Sequence, residues 1–171
     1  MSDKNPMKKI GLEKIVLNIG IGSPGEELEK AKNLLEDLTG KNPKLTKAKR
    51  RSAFGVSKGR EIGVMVTLRN EEAENFLKKF LDAKDHKIRK SSFDDQGNFS
   101  MGIEEHIDLP GTDYNPDIGI FGMDITATLE RPGFGIKRRN ISRKIGEKHK
   151  ISKNEAIEFM EEKFEVEITG E

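Results

Sequence analysis

Two residue patterns in this chain could carry chemistry: a glycine turn able to hold a pyrophosphate, and two stretches of Lys and Arg able to hold a phosphate backbone. Gly20-Ile21-Gly22-Ser23-Pro24-Gly25 fits G-x-G-x-x-G between a strand-like run and a helix-like one. In that setting backbone N–H groups and a helix N-terminus bind a dinucleotide. The same use needs a parallel second strand ending in an acid about 20 residues on, which binds the ribose. The corresponding segment is Gly40-Lys41-Asn42-Pro43-Lys44-Leu45, with no acid. The motif therefore reads as a glycine turn tightening a strand into a helix.

The basic stretches are hidden by a net charge of only +1, because opposite signs occupy different segments. Before Glu61, the first carries Lys41, Lys44, Lys47, Lys49, Arg50, Arg51, Lys58 and Arg60 and no acid. The second carries Arg131, Lys137, Arg138, Arg139, Arg143, Lys144, Lys148 and Lys150 against Glu147 alone. Either run by itself reads as a solvated loop. Two acid-poor runs that also hold glycines, Arg forks and the aromatic rings Phe54 and Phe134 favour a nucleic acid. Arg matches phosphate oxygens with paired donors, glycines let backbone approach, and rings stack on exposed bases. A-form RNA, recognised through backbone, 2′-OH and shape, suits such a surface better than DNA.

Other chemistry finds little footing. His86, His106 and His149 have no i, i+4 partner, and Glu104 and Glu105 face opposite ways in what reads as a strand, so no metal site is expected. Asp94-Asp95, and Asp108 with Asp113, lie in turn-like sequence where Asp serves local backbone hydrogen bonds. No P-loop, nucleophile elbow or H-E-x-x-H occurs, and the absence of Cys removes thiolate chemistry and disulfides. No cofactor, catalytic residue or membrane contact is expected, and the composition suits a soluble protein of reducing cytoplasm.

The elements that must position these groups follow from periodicity. Ile15-Val16-Leu17-Asn18-Ile19 reads as an interior strand, and Leu28, Ala31, Leu34, Leu35 and Leu38 as one face of a helix closed by Gly40. The first basic stretch reads as an extended segment and exposed loop. Ile62 to Leu68 alternates as a strand, and Asn70 can cap a helix with Ala73, Phe76, Leu77, Phe80 and Leu81 inward. Asp95-Gln96-Gly97 signals a turn before a strand from Asn98 to Ile107, and Met123 to Glu130 alternates as a half-exposed antiparallel strand. Ser152-Lys153-Asn154-Glu155 is a capping box opening a last helix, with a short strand from Phe164 to Ile168 after it. This order predicts one α+β domain over residues 1–171: a mainly antiparallel sheet with helices packed against it and long basic loops.

Several of these segments resemble, in order, the signatures of the large-subunit ribosomal protein five family. They are Ile15-Val16-Leu17-Asn18-Ile19-Gly20-Ile21-Gly22, Lys47-Ala48-Lys49-Arg50-Arg51-Ser52, Gly63-Val64-Met65-Val66-Thr67-Leu68-Arg69, Ser92-Phe93-Asp94 with Gly97-Asn98-Phe99-Ser100-Met101-Gly102, and Gly122-Met123-Asp124-Ile125-Thr126. Arg131-Pro132-Gly133-Phe134 and the Ser152 helix resemble the archaeal and eukaryotic branch. The resemblance implies a structural protein of the cytoplasmic ribosome that joins 5S ribosomal RNA to the large subunit in its central protuberance. Its implied partners are 5S RNA, large-subunit ribosomal RNA, peptidyl-site transfer RNA and neighbouring ribosomal proteins. It further implies 5S contacts at Asn18, Lys41 and Thr67, with Arg69 adjoining, and a phosphate contact at Lys41, where bacterial members have Gln. The implied tRNA-facing loop holds Lys49, Arg50, Arg51, Phe54, Lys58 and Arg60. In the second stretch Arg131, Lys137, Arg138, Arg139, Arg143 and Lys144 are the candidate RNA contacts.

Two competing readings make different demands. A nucleotide-dependent enzyme built on the glycine turn predicts tight binding of a dinucleotide or nucleoside triphosphate by the free protein. A protein whose basic loops meet acidic partners needs no RNA preference at matched salt.

Overall fold

In a computed structural model of the chain, residues 5–51, 55–112 and 115–170 are described. Five strands form one antiparallel sheet in the order β2-β3-β1-β6-β5, and two more pair separately as β4-β7. The strands are β1 (Gly11–Gly20), β2 (Lys44–Lys47), β3 (Glu61–Arg69), β4 (Lys87–Arg89), β5 (Phe99–Ile103), β6 (Met123–Glu130) and β7 (Glu167–Thr169). The helices are α1 (Glu26–Thr39), α2 (Asn70–Asp82) and α3 (Lys153–Phe164). The α+β class expected from periodicity is the class observed.

The chain divides into two compact units. The first comprises Met1–Ile15, Arg69–Ser100 and Thr126–Glu171; the second, Val16–Leu68 and Met101–Ile125. In the second unit α1 contributes Leu28, Ala31, Leu34 and Leu35 to a core that also buries Leu17, Ile19, Val64 and Val66. The 3.6-residue spacing of the helix and the two-residue spacing of the strands put these side chains on one side of each element. In the first unit Phe76, Leu77, Phe80 and Leu81 of α2, and Ala156, Met160 and Phe164 of α3, are buried with Ala127 and Leu129 of β6.

Local devices set the ends. Gly40 closes α1 in the left-handed conformation at φ 65°. The Ser152 box is formed in full: its hydroxyl accepts from the Glu155 N–H at 3.4 Å, and the Glu155 carboxylate accepts from the Ser152 N–H at 2.9 Å. Ile151 beside it is buried, as a staple residue should be.

The extended segment expected within the first basic stretch is the strand Lys44–Lys47, paired antiparallel with β3 through Lys44↔Met65, Leu45↔Val64 and Thr46↔Gly63. Only Leu45 marks its inward face, too little alternation to read its bounds. Three expectations are corrected. Asn70 does not cap α2: it is the first helical residue at φ 57°, and Arg69 in extended conformation holds the cap position. His106 lies in a 3-10 turn, His106–Asp108, because the strand stops at Ile103. Finally, β7 extends to Thr169 and pairs in parallel with β4, a strand the periodicity did not reveal.

Candidate nucleic-acid interface

The glycine turn is occupied by its own fold. Ile21 and Gly22 both donate their backbone N–H groups to the Ile62 carbonyl, at 3.0 and 2.8 Å. Those are the amides a pyrophosphate would need, and the neighbouring strand runs antiparallel where a dinucleotide fold needs a parallel one. The turn therefore joins β1 to α1 and closes one end of the β1–β3 pair.

On the second unit's part of the sheet one face is buried and the other open. Leu17 and Ile19 of β1, and Val64, Val66 and Leu68 of β3, point inward, while Asn18, Met65 and Thr67 between them are partly exposed. Asn18 and Thr67 thus stand on the same face of hydrogen-bonded neighbours. Among the described residues neither the Asn18 amide nor the Thr67 hydroxyl has a hydrogen-bond partner. Across β3 the register brings exposed Lys44 beside Met65 on this face. That Lys44 and Thr46 share this face comes from the register, which the sequence does not give.

Gly63 lets the strands close at this point. A Cβ there would meet the Ile19 carbonyl oxygen at 2.8 Å and Thr46 Oγ1 at 2.9 Å. Lys41 follows the αL cap of α1, partly exposed, with its N–H 3.4 Å from Thr39 Oγ1.

The basic loop after β2 is pinched at its base. Ala48 donates to the Arg60 carbonyl and Gly59 to the Ala48 carbonyl, each at 2.8 Å, while Lys47 pairs with Glu61 at 3.4 Å. Lys49, Arg50, Arg51, Lys58 and Arg60 are all exposed around this base. Phe54, the ring expected to stack on a base, lies outside the described residues, as does Asp113.

In the first unit the cations fall into two groups. Arg69 and Arg138 each donate to Glu13 Oε1 at 2.6 Å, and Arg138 also bonds Glu130. Burial alone would raise the Glu13 pKa, but the hydrogen bonds from Arg69 and Arg138 overcome it and hold the carboxyl below its usual value. Glu130, desolvated and beside the Glu13 charge, is pushed up. Arg131 is buried at 8% exposure, donating to the Lys150 carbonyl at 3.1 Å and to Glu155 at 2.7 Å. Lys137, Arg139, Arg143 and Lys144 are exposed.

The remaining titratable candidates have local duties. Asp94 accepts from the Gln96 and Asn98 backbone N–H groups at 2.9 and 2.8 Å, the turn chemistry its sequence suggested. His106 is buried, and its Nδ1 accepts from the Phe121 N–H at 3.3 Å. His86 bonds Asp82 four residues before it, an i, i+4 partner the sequence reading overlooked, and His149 bonds the Pro132 carbonyl.

Comparison with known proteins finds likeness along nearly the whole chain. Residues 5–56 match a family described as ribosomal protein L5, and residues 61–159 match the description of that ribosomal family's C-terminus. The chain is similar to large ribosomal subunit protein uL5 of Sulfurisphaera tokodaii, 53% identical over 96% of this chain and 94% of that one. It is 48% identical to the protein of that name in Sulfolobus acidocaldarius, with the same coverage. With uL5 of Nitrosopumilus maritimus the identity is 44%, over 96% of each chain.

Proposed function

Because the chain belongs to the ribosomal protein L5 family, in its archaeal-type branch, we propose that it binds 5S ribosomal RNA on the exposed face of its sheet and attaches that RNA to the large subunit. It is a structural constituent of the large subunit of the cytoplasmic ribosome and not an enzyme. The observation that carries the 5S reading is that the Asn18 amide and the Thr67 hydroxyl, on neighbouring strands and one partly exposed face, have no hydrogen-bond partner among the described residues.

Such a face suits RNA because it offers neutral donors and acceptors for 2′-OH and base-edge contacts, with Lys41 and Lys44 close in sequence for phosphates. Arg69, half exposed and steadied by Glu13, adds a charged fork at the end of β3. The pinched basic loop contacts peptidyl-site transfer RNA in this reading, supported by five exposed cations on a base that its own hydrogen bonds hold. The second basic stretch contacts large-subunit RNA, and neighbouring ribosomal proteins complete the surroundings.

The test separates specific from electrostatic binding. Asn18→Ala and Thr67→Ala should each weaken 5S binding by about 1 kcal/mol or more, through a missing hydrogen bond. Arg50→Ala with Arg51→Ala should instead lower the salt slope of binding by about one unit for each phosphate no longer neutralised. Loss of 5S binding in the loop variants, with silent Asn18 and Thr67 variants, would move the site off the sheet.

A further inference from the structure

The second basic stretch folds over a cavity of about 830 Å³ in the first unit. That is within the size of pockets that enclose small ligands. Its apolar lining comes from Ile145 and the partly exposed ring of Phe134, over the fully buried Leu129 and Ile151. Lys137, Arg143 and Lys144 stand at its rim, and among the described residues none of the three has an ion-pair partner. Glu130, the acid in the lining, is bonded to Arg138.

Two details make this a built cavity and not a crease. Phe134 is set by an edge contact with His149, centroids 5.6 Å apart at 61°, and His149 is held by donating Nε2–H to the Pro132 carbonyl at 2.9 Å. Opposite, Asn98 donates Nδ2 to Asp94 at 2.8 Å, which fixes its amide and leaves the carbonyl oxygen to accept. Gln96 and Thr128 beside it supply further hydrogen-bonding groups. A ring for stacking, an amide edge, and a rim of free cations match three parts of one ligand: the π-face of a base, its edge, and its phosphate.

We propose that this cavity takes a single unstacked RNA nucleotide, its base against Phe134 and its phosphate on Lys137, Arg143 and Lys144. The proposal rests on the RNA-binding reading of the second stretch and gives that stretch a specific ligand. The partly exposed Phe134 ring sets it apart from a plain phosphate clamp, which needs no ring. The same chemistry would admit a free mononucleotide, and the test distinguishes the two sources.

The chain has no Trp, so Phe134→Trp places a single indole fluorophore at the cavity. A short single-stranded RNA should quench its emission, whereas a duplex of equal length and adenosine monophosphate at equal concentration should not. Phe134→Ala should weaken single-strand binding about tenfold with an unchanged salt slope, and Phe134→Tyr should restore it. Lys137→Ala with Lys144→Ala should reduce the salt slope by about 1.4. Unquenched Trp emission together with wild-type binding by Phe134→Ala would overturn the proposal, and equal quenching by the mononucleotide would overturn its RNA source. If the cavity is silent while 5S affinity still depends on Asn18 and Thr67, only this inference falls. If both are silent, the RNA-binding reading falls with it.

Discussion

At the scale of single residues, the polar groups that matter are those the fold leaves unspent, and the others are spent on the fold itself. Gly63 belongs to the second kind. Its Cβ would sit 2.8 Å from the Ile19 carbonyl oxygen, which is strand backbone and cannot turn aside. Gly63→Ala should therefore cost about 1–3 kcal/mol in urea unfolding through overpacking, and should loosen the exposed face around Thr46 and Met65. His106 makes a prediction in pH. Burial lowers its pKa from 6.5, so the unfolded chain binds the proton more readily than the folded one. Its contribution to stability is complete above the unfolded value of 6.5, and falls as pH drops below that toward the depressed folded value. Denaturation midpoints should decline over that interval, with the decline reduced in His106→Asn; midpoints flat below 6.5 would contradict this. Asn18 and Thr67 were legible only through family resemblance, since no periodicity says which strand polar group lacks a partner. The turn role of Asp94 was legible from Asp-Asp-Gln-Gly itself. What the sequence could not reveal was that Arg69, Arg138 and Glu13 meet, because the two arginines are 56 and 125 residues from the acid they share.

At the scale of elements, the strongly periodic pieces were readable and the short ones only in part. Helix α1 and strand β6 each carry a full hydrophobic stripe, and α3 carries its capping box. Strands β2 and β4, of four and three residues, owe their conformation to partners far along the chain, and propensity has little to say over so few residues. The second basic stretch is an element of another kind, a loop tied at its ends. Arg131, at its start, donates to the Lys150 carbonyl at its end and to Glu155 on the helix beyond. Arg131→Ala should cost about 1–3 kcal/mol, because it removes charge-assisted bonds and leaves the Lys150 carbonyl and the Glu155 carboxylate without their shared donor. Arg131→Lys should restore little of it, since one ammonium cannot replace a planar fork. Urea unfolding of the two variants measures this, and a fully restored lysine variant would show the tie to be simple charge. Burial raises the Glu155 pKa, but bonds from Ser152 and Arg131 outweigh that and hold it below 4.5. The tie is complete above 4.5 and weakens as pH falls through the lower folded value.

At the scale of the whole molecule, a net charge of +1 conceals a division of labour. Acids occupy the first turns of α1 and α2, where they favour the helix dipole, and cations gather on two loops and near the open face. On the proposed reading such a protein holds RNA by two distinct means: salt-sensitive attraction that any polyanion shares, and neutral hydrogen bonds that only the right surface satisfies. The interleaving of two compact units from separated segments was invisible to periodicity, which is local, whereas the segregation of charge was plain from the start. Everything turns on whether the open face recognises one RNA. The most direct test is binding of the purified protein to 5S RNA, to transfer RNA and to an unrelated duplex RNA, each titrated across salt concentration. A preference for 5S RNA of about 100-fold that survives physiological salt is the predicted result, because specific hydrogen bonds do not share the steep decline of counterion release. Equal, salt-labile binding to all three RNAs would contradict it.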